Sequence, residues 1–129
     1  MSGRRSRRKG AQYERDLAND LTPIWPNAKR GIGQTRSGGE VPDVDGTPYW
    51  IEAKRCKRTN IHGAMKQASE ATDGRPPLAI TKRDREPALV TMEYATWFEL
   101  MLCLSEAGLL GKLPRTETVP DDIVKDDNT

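Results

Sequence analysis

Apolar residues recur at helical spacing in three segments of the chain. In residues 12–21 the apolar positions are four apart, which places Tyr13, Leu17 and Leu21 on one face of a helix. Closely spaced alanines predict a second helix over 59–72, and large apolar side chains predict a third over 94–104. The third helix is expected to form core, or a self-association surface if one face stays exposed, through Trp97, Leu100, Met101 and Leu104.

Four short segments have the composition of β-strands: 41–44, 48–53, 77–81 and 88–92. Asp45-Gly46 supplies a turn between the first two, which predicts a hairpin. The resulting order is helix, strand, strand, helix, strand, strand, helix. It predicts an α/β domain in which helices flank a mixed central sheet on both faces.

Composition divides the chain into three parts. Residues 1–9 include five cations within six positions and predict a flexible basic arm. Residues 10–112 contain every predicted element and are expected to form one domain. Residues 113–129 predict a flexible acidic tail.

Charge is unevenly distributed along the chain. Residues 1–90 carry 18 Lys and Arg against 11 Asp and Glu, a net +7, whereas residues 91–129 carry 3 against 8, a net −5. A basic body predicts a polyanionic partner, with the acidic tail either solvating the chain or screening the site. The sequence has no membrane-length apolar run or secretory signal, and its two cysteines are isolated. These features predict a reduced, cytoplasmic setting with no membrane partner.

Two acids and a lysine lie at the edges of the first predicted hairpin. Asp43 ends one strand, and the strand period of two places Glu52 and Lys54 on one face of the next. Glu14, on the first helix, supplies a further carboxylate. Carboxylates of this kind suit Mg²⁺, which activates water for attack on a phosphodiester, while a lysine stabilises the developing charge. An acid-x-Lys pair alone is common on solvated strands, so the combination is what favours a site.

These residues resemble the motif of the PD-(D/E)XK nuclease superfamily. Within it, the chain is most similar to the archaeal-type Holliday junction resolvases and their phage relatives. The resemblance covers residues 9–92 and implies a restriction-endonuclease-like core. Residues 9–17 match the first helix of the family, and residues 36–39 match the loop before its metal-binding aspartate. Pro42-Asp43 and Glu52-Ala53-Lys54 match the defining motif. Lys66-Gln67-Ala68 matches the helix that follows the motif.

The resemblance implies a role for each matching residue. Asp43 and Glu52 would be metal ligands, Glu14 an additional acid near the metal, and Lys54 the catalytic lysine. The implied cofactor is Mg²⁺, for which Mn²⁺ would substitute, and the choice between one and two metal ions stays open. Two further residues are expected near the scissile phosphate or the site, Ser37 and Gln67.

Basic side chains around the motif predict a DNA-binding surface. They come from the N-terminal arm, the Gly-rich loop and the segment that follows the motif. The set is Arg4, Arg5, Arg7, Arg8, Lys9, Arg30, Arg36, Arg55, Lys57 and Arg58, with Ser37 beside it in the loop.

The implied activity is that of a structure-selective DNA endonuclease of recombination and repair. Acting as a homodimer, it would make paired symmetric nicks in a four-way junction and leave 5′-phosphates, in the cytoplasm of a bacterial host if it is phage-encoded. One alternative is another nuclease of the same fold, restriction-like or repair. A second is a non-catalytic nucleic-acid-binding protein whose acids are surface charges.

Overall fold

A five-stranded mixed β-sheet lies at the centre of the part of the protein that the computed structural model describes, residues 3–32 and 40–112, with side chains from Arg7 onward. In chain order the elements are α1 (Gly3–Leu21), β1 (Lys29–Arg30), β2 (Val44–Asp45), β3 (Trp50–Arg55), α2 (Ile61–Ala71), β4 (Pro77–Lys82), β5 (Leu89–Met92), α3 (Tyr94–Glu106) and a 3-10 helix (Leu110–Lys112). The predicted α/β architecture, a mixed sheet flanked by helices, is confirmed. The restriction-endonuclease-like form of that core stays a prediction.

The sheet has the order β1-β2-β3-β4-β5. Only the β3–β4 pair is parallel among the described strands, and the other pairs are antiparallel. A parallel pair needs a crossover connection, which α2 supplies. The β3–β4 register aligns Glu52 with Ala79 and Lys54 with Thr81. The motif strand is therefore an interior strand of the sheet, paired on both sides.

The core forms between α1 and one face of the sheet. Tyr13, Leu17 and Ala18 of α1 pack against Ile51 and Ala53 of β3, together with residues of β2 and β4. The predicted apolar stripe of the first helix is thus confirmed. Alternation along β3 directs Glu52 and Lys54 away from that cluster. α2 packs on β3 and β4 and buries two alanines, Ala64 and Ala68.

Helix α1 begins earlier than the sequence predicts. The helix was expected from residue 12 with a disordered arm before it, but residues 3–9 are helical. Arg and Lys are good helix formers, and no proline interrupts the segment. Lys9 also pairs with Asp84 at 3.4 Å, which fixes that end of the arm to the β4–β5 turn. Residues 1–2, 33–39 and 113–129, with the predicted tail, lie outside the described residues.

Helix α3 lies where the sequence predicts it but does not form core. None of its residues is buried. Of the two expectations for Trp97, Leu100, Met101 and Leu104, packing in the core is therefore wrong, and a self-association surface stays a prediction. Periodicity identifies an apolar helix but does not show what covers it. No helix within residues 3–32 and 40–112 combines the length and apolar character that a membrane crossing requires.

Candidate active site

The β2–β3 pairing brings Asp43 to the motif strand. The Asp43 backbone N–H donates to the Ile51 carbonyl at 2.9 Å, and Val44 pairs with Ile51. The Asp43 carboxylate Oδ2 accepts a hydrogen bond from the Ala53 backbone N–H, also at 2.9 Å. Because Ala53 lies between Glu52 and Lys54, this bond holds the Asp43 side chain at the centre of the motif. The hairpin predicted from the sequence is confirmed.

Gly31 allows the backbone of β1 to approach Asp43 closely. Its N–H donates to the Asp43 carbonyl at 2.9 Å. A Cβ atom at position 31 would lie 1.8 Å from the Pro42 carbonyl oxygen, well inside van der Waals contact. Only glycine fits this approach without moving one of the two segments. The sequence showed a Gly-rich loop here but not the short strand that precedes Gly31.

Glu52 is a buried acid, with only 5% of its surface exposed. Burial, followed by the charge and hydrogen bonding of Asp43, raises the pKa of Glu52 from 4.5 to about 7, while Lys54 opposes the shift. The nearby indole N–H of Trp50 lowers the pKa of Glu52, and this buried N–H makes no hydrogen bond within the accepted distance and angle among the described residues. Because Glu52 is removed from water and the charge of Asp43 acts on it, a second negative charge at this site is costly.

Glu14 reaches the same cluster from α1. Its Oε1 accepts a hydrogen bond from the Arg30 Nε at 2.8 Å. Burial raises the pKa of Glu14, the Arg30 hydrogen bond lowers it, Asp43 raises it, and Lys54 lowers it. The charges of Asp43 and Lys54 therefore act on both Glu14 and Glu52. Glu14 therefore lies within electrostatic range of Asp43 and Lys54, and the catalytic role of these side chains stays a prediction.

The carboxyl pair of Asp43 and Glu52 fits a hard divalent cation. Mg²⁺ in proteins is typically held by one or two carboxylates plus substrate phosphate and water. A cation would also offset the cost of ionising the buried Glu52. Within residues 3–32 and 40–112, however, no group of three or more His, Cys, Asp or Glu side chains lies close enough together to hold a metal ion. Glu14 pairs with Arg30 and does not form a three-acid group with Asp43 and Glu52, so its role as an additional ligand stays a prediction.

The predicted DNA-binding residues occupy different environments. Arg7, Arg8, Lys9, Lys57 and Arg58 are exposed, as is Gln67 on α2. Arg30 pairs with Glu14 instead of standing free. The side chain of Arg55 is 9% exposed and pairs with Asp84 at 2.7 Å. Its charge therefore stabilises the fold and is not freely available to a DNA phosphate. Arg4 and Arg5 lie in α1 without described side chains, and Arg36 and Ser37 lie outside the described residues.

Two residues near the site were missed by sequence reasoning. Asp84 accepts from both Arg55 and Lys9, which joins the end of β3 to α1. Lys82, at the end of β4, is buried, and its Nζ donates to the backbone oxygens of Arg83 and Glu86. The sequence does not indicate either role, because the conformation of the turn between β4 and β5 determines which groups these two side chains contact.

Comparison of the chain with protein-family models, with curated proteins and with solved structures finds no match. The functional assignment therefore rests on the geometry of Glu14, Asp43, Glu52 and Lys54.

Proposed function

We propose that this chain is a metal-dependent DNA endonuclease with four-way junctions as its preferred substrate. The observation that carries the proposal is the hydrogen bond from the Ala53 N–H to the Asp43 carboxylate at 2.9 Å, which holds that carboxylate beside the motif residue Glu52, itself buried. The charges of Asp43 and Lys54 both act on Glu52. Acids on a solvated strand would be exposed, whereas Glu52 is buried at an interior strand. Burying an acid costs stability unless a partner compensates it, which favours a functional site over a surface charge pair.

Each of the four residues of the candidate site has a different role in the proposed hydrolysis of a phosphodiester. Asp43 and Glu52 would hold Mg²⁺, which when bound lowers the pKa of a water and neutralises phosphate charge. Lys54 stabilises the negative charge that develops on the phosphate oxygens. Glu14, whose pKa is raised by burial, is placed to accept a proton at this cluster. Water forms a new bond to phosphorus as the bond to the 3′ oxygen breaks, which leaves a 5′-phosphate.

The exposed cations favour a nucleic acid as the substrate. Arg7 and Arg8 lie on the first turns of α1, and Lys57 and Arg58 follow β3. Asp84 links these two segments, since it pairs with Lys9 of α1 and with Arg55 of β3. These pairs hold the first turns of α1 near the end of the motif strand, which leads directly into Lys57 and Arg58. Contacts of this kind position a phosphate backbone without reading its sequence.

The test is cleavage of a synthetic four-way junction and a linear duplex of matched sequence, with Mg²⁺ or Mn²⁺. We expect symmetric paired nicks in the junction. Asp43→Asn and Lys54→Ala are expected to lower the rate by about 10² to 10³-fold, the effect of losing one charge-stabilising group. The matched controls are Glu106→Gln and Lys112→Ala, exposed residues at the other end of the described chain, which should retain wild-type rates.

Each alternative function gives a different result in this assay. Equal rates on linear and branched DNA would retain the nuclease but reject junction preference. Binding without cleavage in either metal would instead favour a non-catalytic nucleic-acid-binding protein. Cleavage that survives Asp43→Asn would place the active site elsewhere.

A further inference from the structure

Asp84 joins two cations that come from different parts of the chain. Its Oδ1 oxygen lies 2.7 Å from the Arg55 Nη1 atom and 3.4 Å from the Lys9 Nζ atom. Arg55 is the last residue of the motif strand β3, and Lys9 lies on α1. The hydrogen bond from Arg55 lowers the pKa of Asp84, and the bond from Lys9 adds to this effect. Asp84 is therefore an anion at neutral pH, and two basic segments share its charge.

The three side chains differ in their exposure to solvent. The Arg55 side chain is 9% exposed, whereas the side chains of Lys9 and Asp84 are 46% and 40% exposed. The carboxylate thus lies on the solvent side of a largely buried guanidinium. Asp84 is not part of the hydrophobic core. Replacement of its carboxylate by another anion from solvent would therefore leave the core closed.

The turn between β4 and β5 is held by contacts that do not involve the Asp84 side chain. The Glu86 N–H donates to the Arg83 carbonyl at 3.2 Å, which closes the backbone. The buried Lys82 Nζ donates to the carbonyls of the same two residues. The side chains of Arg83 and Glu86 also form an ion pair at 2.8 Å. Asp84 can therefore leave its two cations while the turn stays folded.

The two cations that Asp84 joins are suited to phosphate as well as to a carboxylate. A guanidinium binds phosphate oxygens through several N–H donors in a fixed geometry, and an ammonium binds them as a point charge. A carboxylate already held between them competes with phosphate and repels it. Ion pairs that are partly exposed contribute little to stability, so the exchange of one anion for another has a small cost.

We propose that Lys9 and Arg55 form a binding subsite for a phosphate of the DNA backbone, which Asp84 occupies in the free protein and leaves when DNA binds. The inference rests on the proposed function in one respect, that the partner is DNA. It requires neither cleavage nor a metal ion.

The attachment of Asp84 to the chain gives it an advantage over small anions. A tethered carboxylate has a high effective concentration at its own cations, which a single dissolved phosphate does not match. A DNA strand that also contacts the exposed cations of α1 and of the segment after β3 gains the same advantage. Asp84 would therefore favour ligands that engage several basic residues at once over ligands that engage only this subsite.

The test compares the full wild-type chain with Asp84→Asn by fluorescence anisotropy on duplex DNA, in chelator and across a salt series. We expect the variant to bind about three- to tenfold more tightly at low salt, because asparagine keeps the size of the side chain and removes the competing charge. The slope of log affinity against log salt should steepen by up to about 0.9. Glu86→Gln is the matched control, since it removes an equal charge from the same turn, and it should gain less than about twofold.

A double variant shows whether the gain depends on the subsite. Lys9→Gln, which keeps helix propensity, should cost at least about threefold more affinity in the Asp84→Asn background than in wild type, because Lys9 then meets phosphate without a competitor. Equal costs in the two backgrounds would mean that Asp84 acts only through the overall charge.

Two results on Asp84→Asn would overturn the inference. One is affinity for DNA that is no higher than that of wild type, which is the outcome for an ion pair that only fixes α1 to the turn. The other is an equal gain in Glu86→Gln. In wild type, the carboxyl carbon of Asp84 should change its NMR chemical shift when DNA is added. An unchanged shift would contradict the exchange even if the variant fails to fold.

The cleavage assay separates this inference from the nuclease proposal. If wild type nicks junctions but Asp84→Asn binds DNA no more tightly, only the inference fails. If the chain cuts no DNA but Asp84→Asn shows the gain, the nuclease proposal fails and the subsite stands. If neither protein binds duplex DNA at low salt, both are rejected.

Discussion

At the scale of single residues, the charge of Glu52 links the candidate site to stability. Burial and the neighbouring Asp43 raise its pKa from 4.5 to about 7, so the folded protein binds this proton more tightly than the unfolded chain does. The resulting stability is fully present below pH 4.5 and is lost as pH rises through 7. In metal-free buffer we therefore expect Glu52→Gln to match wild type near pH 4 and to exceed it by about 2 to 3 kcal/mol at pH 8.

Chemical denaturation at several pH values with chelator present measures this difference. The matched control is Glu70→Gln, an exposed acid on α2 with a weak i,i+4 partner, which should stay within about 0.5 kcal/mol of wild type at every pH. A Glu52→Gln protein that is less stable than wild type at pH 8 would show that the buried carboxylate is already compensated by its surroundings.

Gly31 gives a second prediction at the residue scale. Gly31→Ala places a methyl group against the Pro42 carbonyl, so either β1 or the Asp43 backbone must move. We expect a loss of about 1 to 3 kcal/mol of stability together with weaker Mg²⁺ binding, measured by denaturation and calorimetry. Gly10→Ala is the matched control: nothing lies within 4 Å of its new Cβ in α1, and it should stabilise by about 0.5 to 1 kcal/mol. Equal effects at both positions would contradict the role given to Gly31.

The sequence predicts part of this site and not the rest, for a physical reason. The approach of Asp43 to Glu52 follows from two local rules, a turn at Asp45-Gly46 and the strand period of two. The Arg30–Glu14 and Asp84–Arg55 pairs join residues far apart in the chain and depend on how loops close. The sequence does not show whether a charged side chain faces solvent or pairs with another residue. For this reason Arg30 and Arg55 were predicted to bind DNA, although both form ion pairs within the protein.

At the scale of elements, the N-terminal turns of α1 hold cations where the helix dipole disfavours them. Arg7, Arg8 and Lys9 lie near the positive end of the helix, and no acid lies in its first turn. A bound phosphate would relieve this repulsion. We expect Arg7→Gln/Arg8→Gln, which keeps helix propensity, to reduce the slope of log affinity against log salt by up to about 1.8 on duplex DNA.

Fluorescence anisotropy across a salt series measures that slope. Lys112→Ala, a cation at the far end of the described chain, should leave the slope unchanged. An unchanged slope in the double variant would mean that these two arginines do not contact phosphate.

Element boundaries were predicted better than element environments. The ends of α3 and β5 lie close to the expected positions, because periodicity and strand composition are local properties. β1 was missed, since two residues are too few to show a period. The exposure of α3 depends on what lies beside it in space, which no single segment of sequence specifies. The early start of α1 has a different cause, because clustered cations are typical of a flexible arm but are also good helix formers.

At the scale of the whole molecule, the acidic C-terminal segment opposes the basic body. Residues 113–129 carry two Lys and Arg against five Asp and Glu, so their removal would raise the net charge from +2 to +5. If the segment screens the site, a chain ending at Lys112 should bind duplex DNA roughly three to tenfold more tightly at low salt, because DNA is a polyanion. The difference should vanish near 1 M salt, where the Debye length is about 3 Å.

A full-length variant separates charge from chain length in that experiment. Replacing Asp121, Asp122, Asp126 and Asp127 with asparagine removes the charge and keeps every residue position. If screening is the cause, this variant and the shortened chain should gain affinity together, and both gains should fall with salt. A gain in the shortened chain alone would point to steric occlusion. No gain in either at low salt would leave solvation of the chain as the role of the segment, the other reading of its composition.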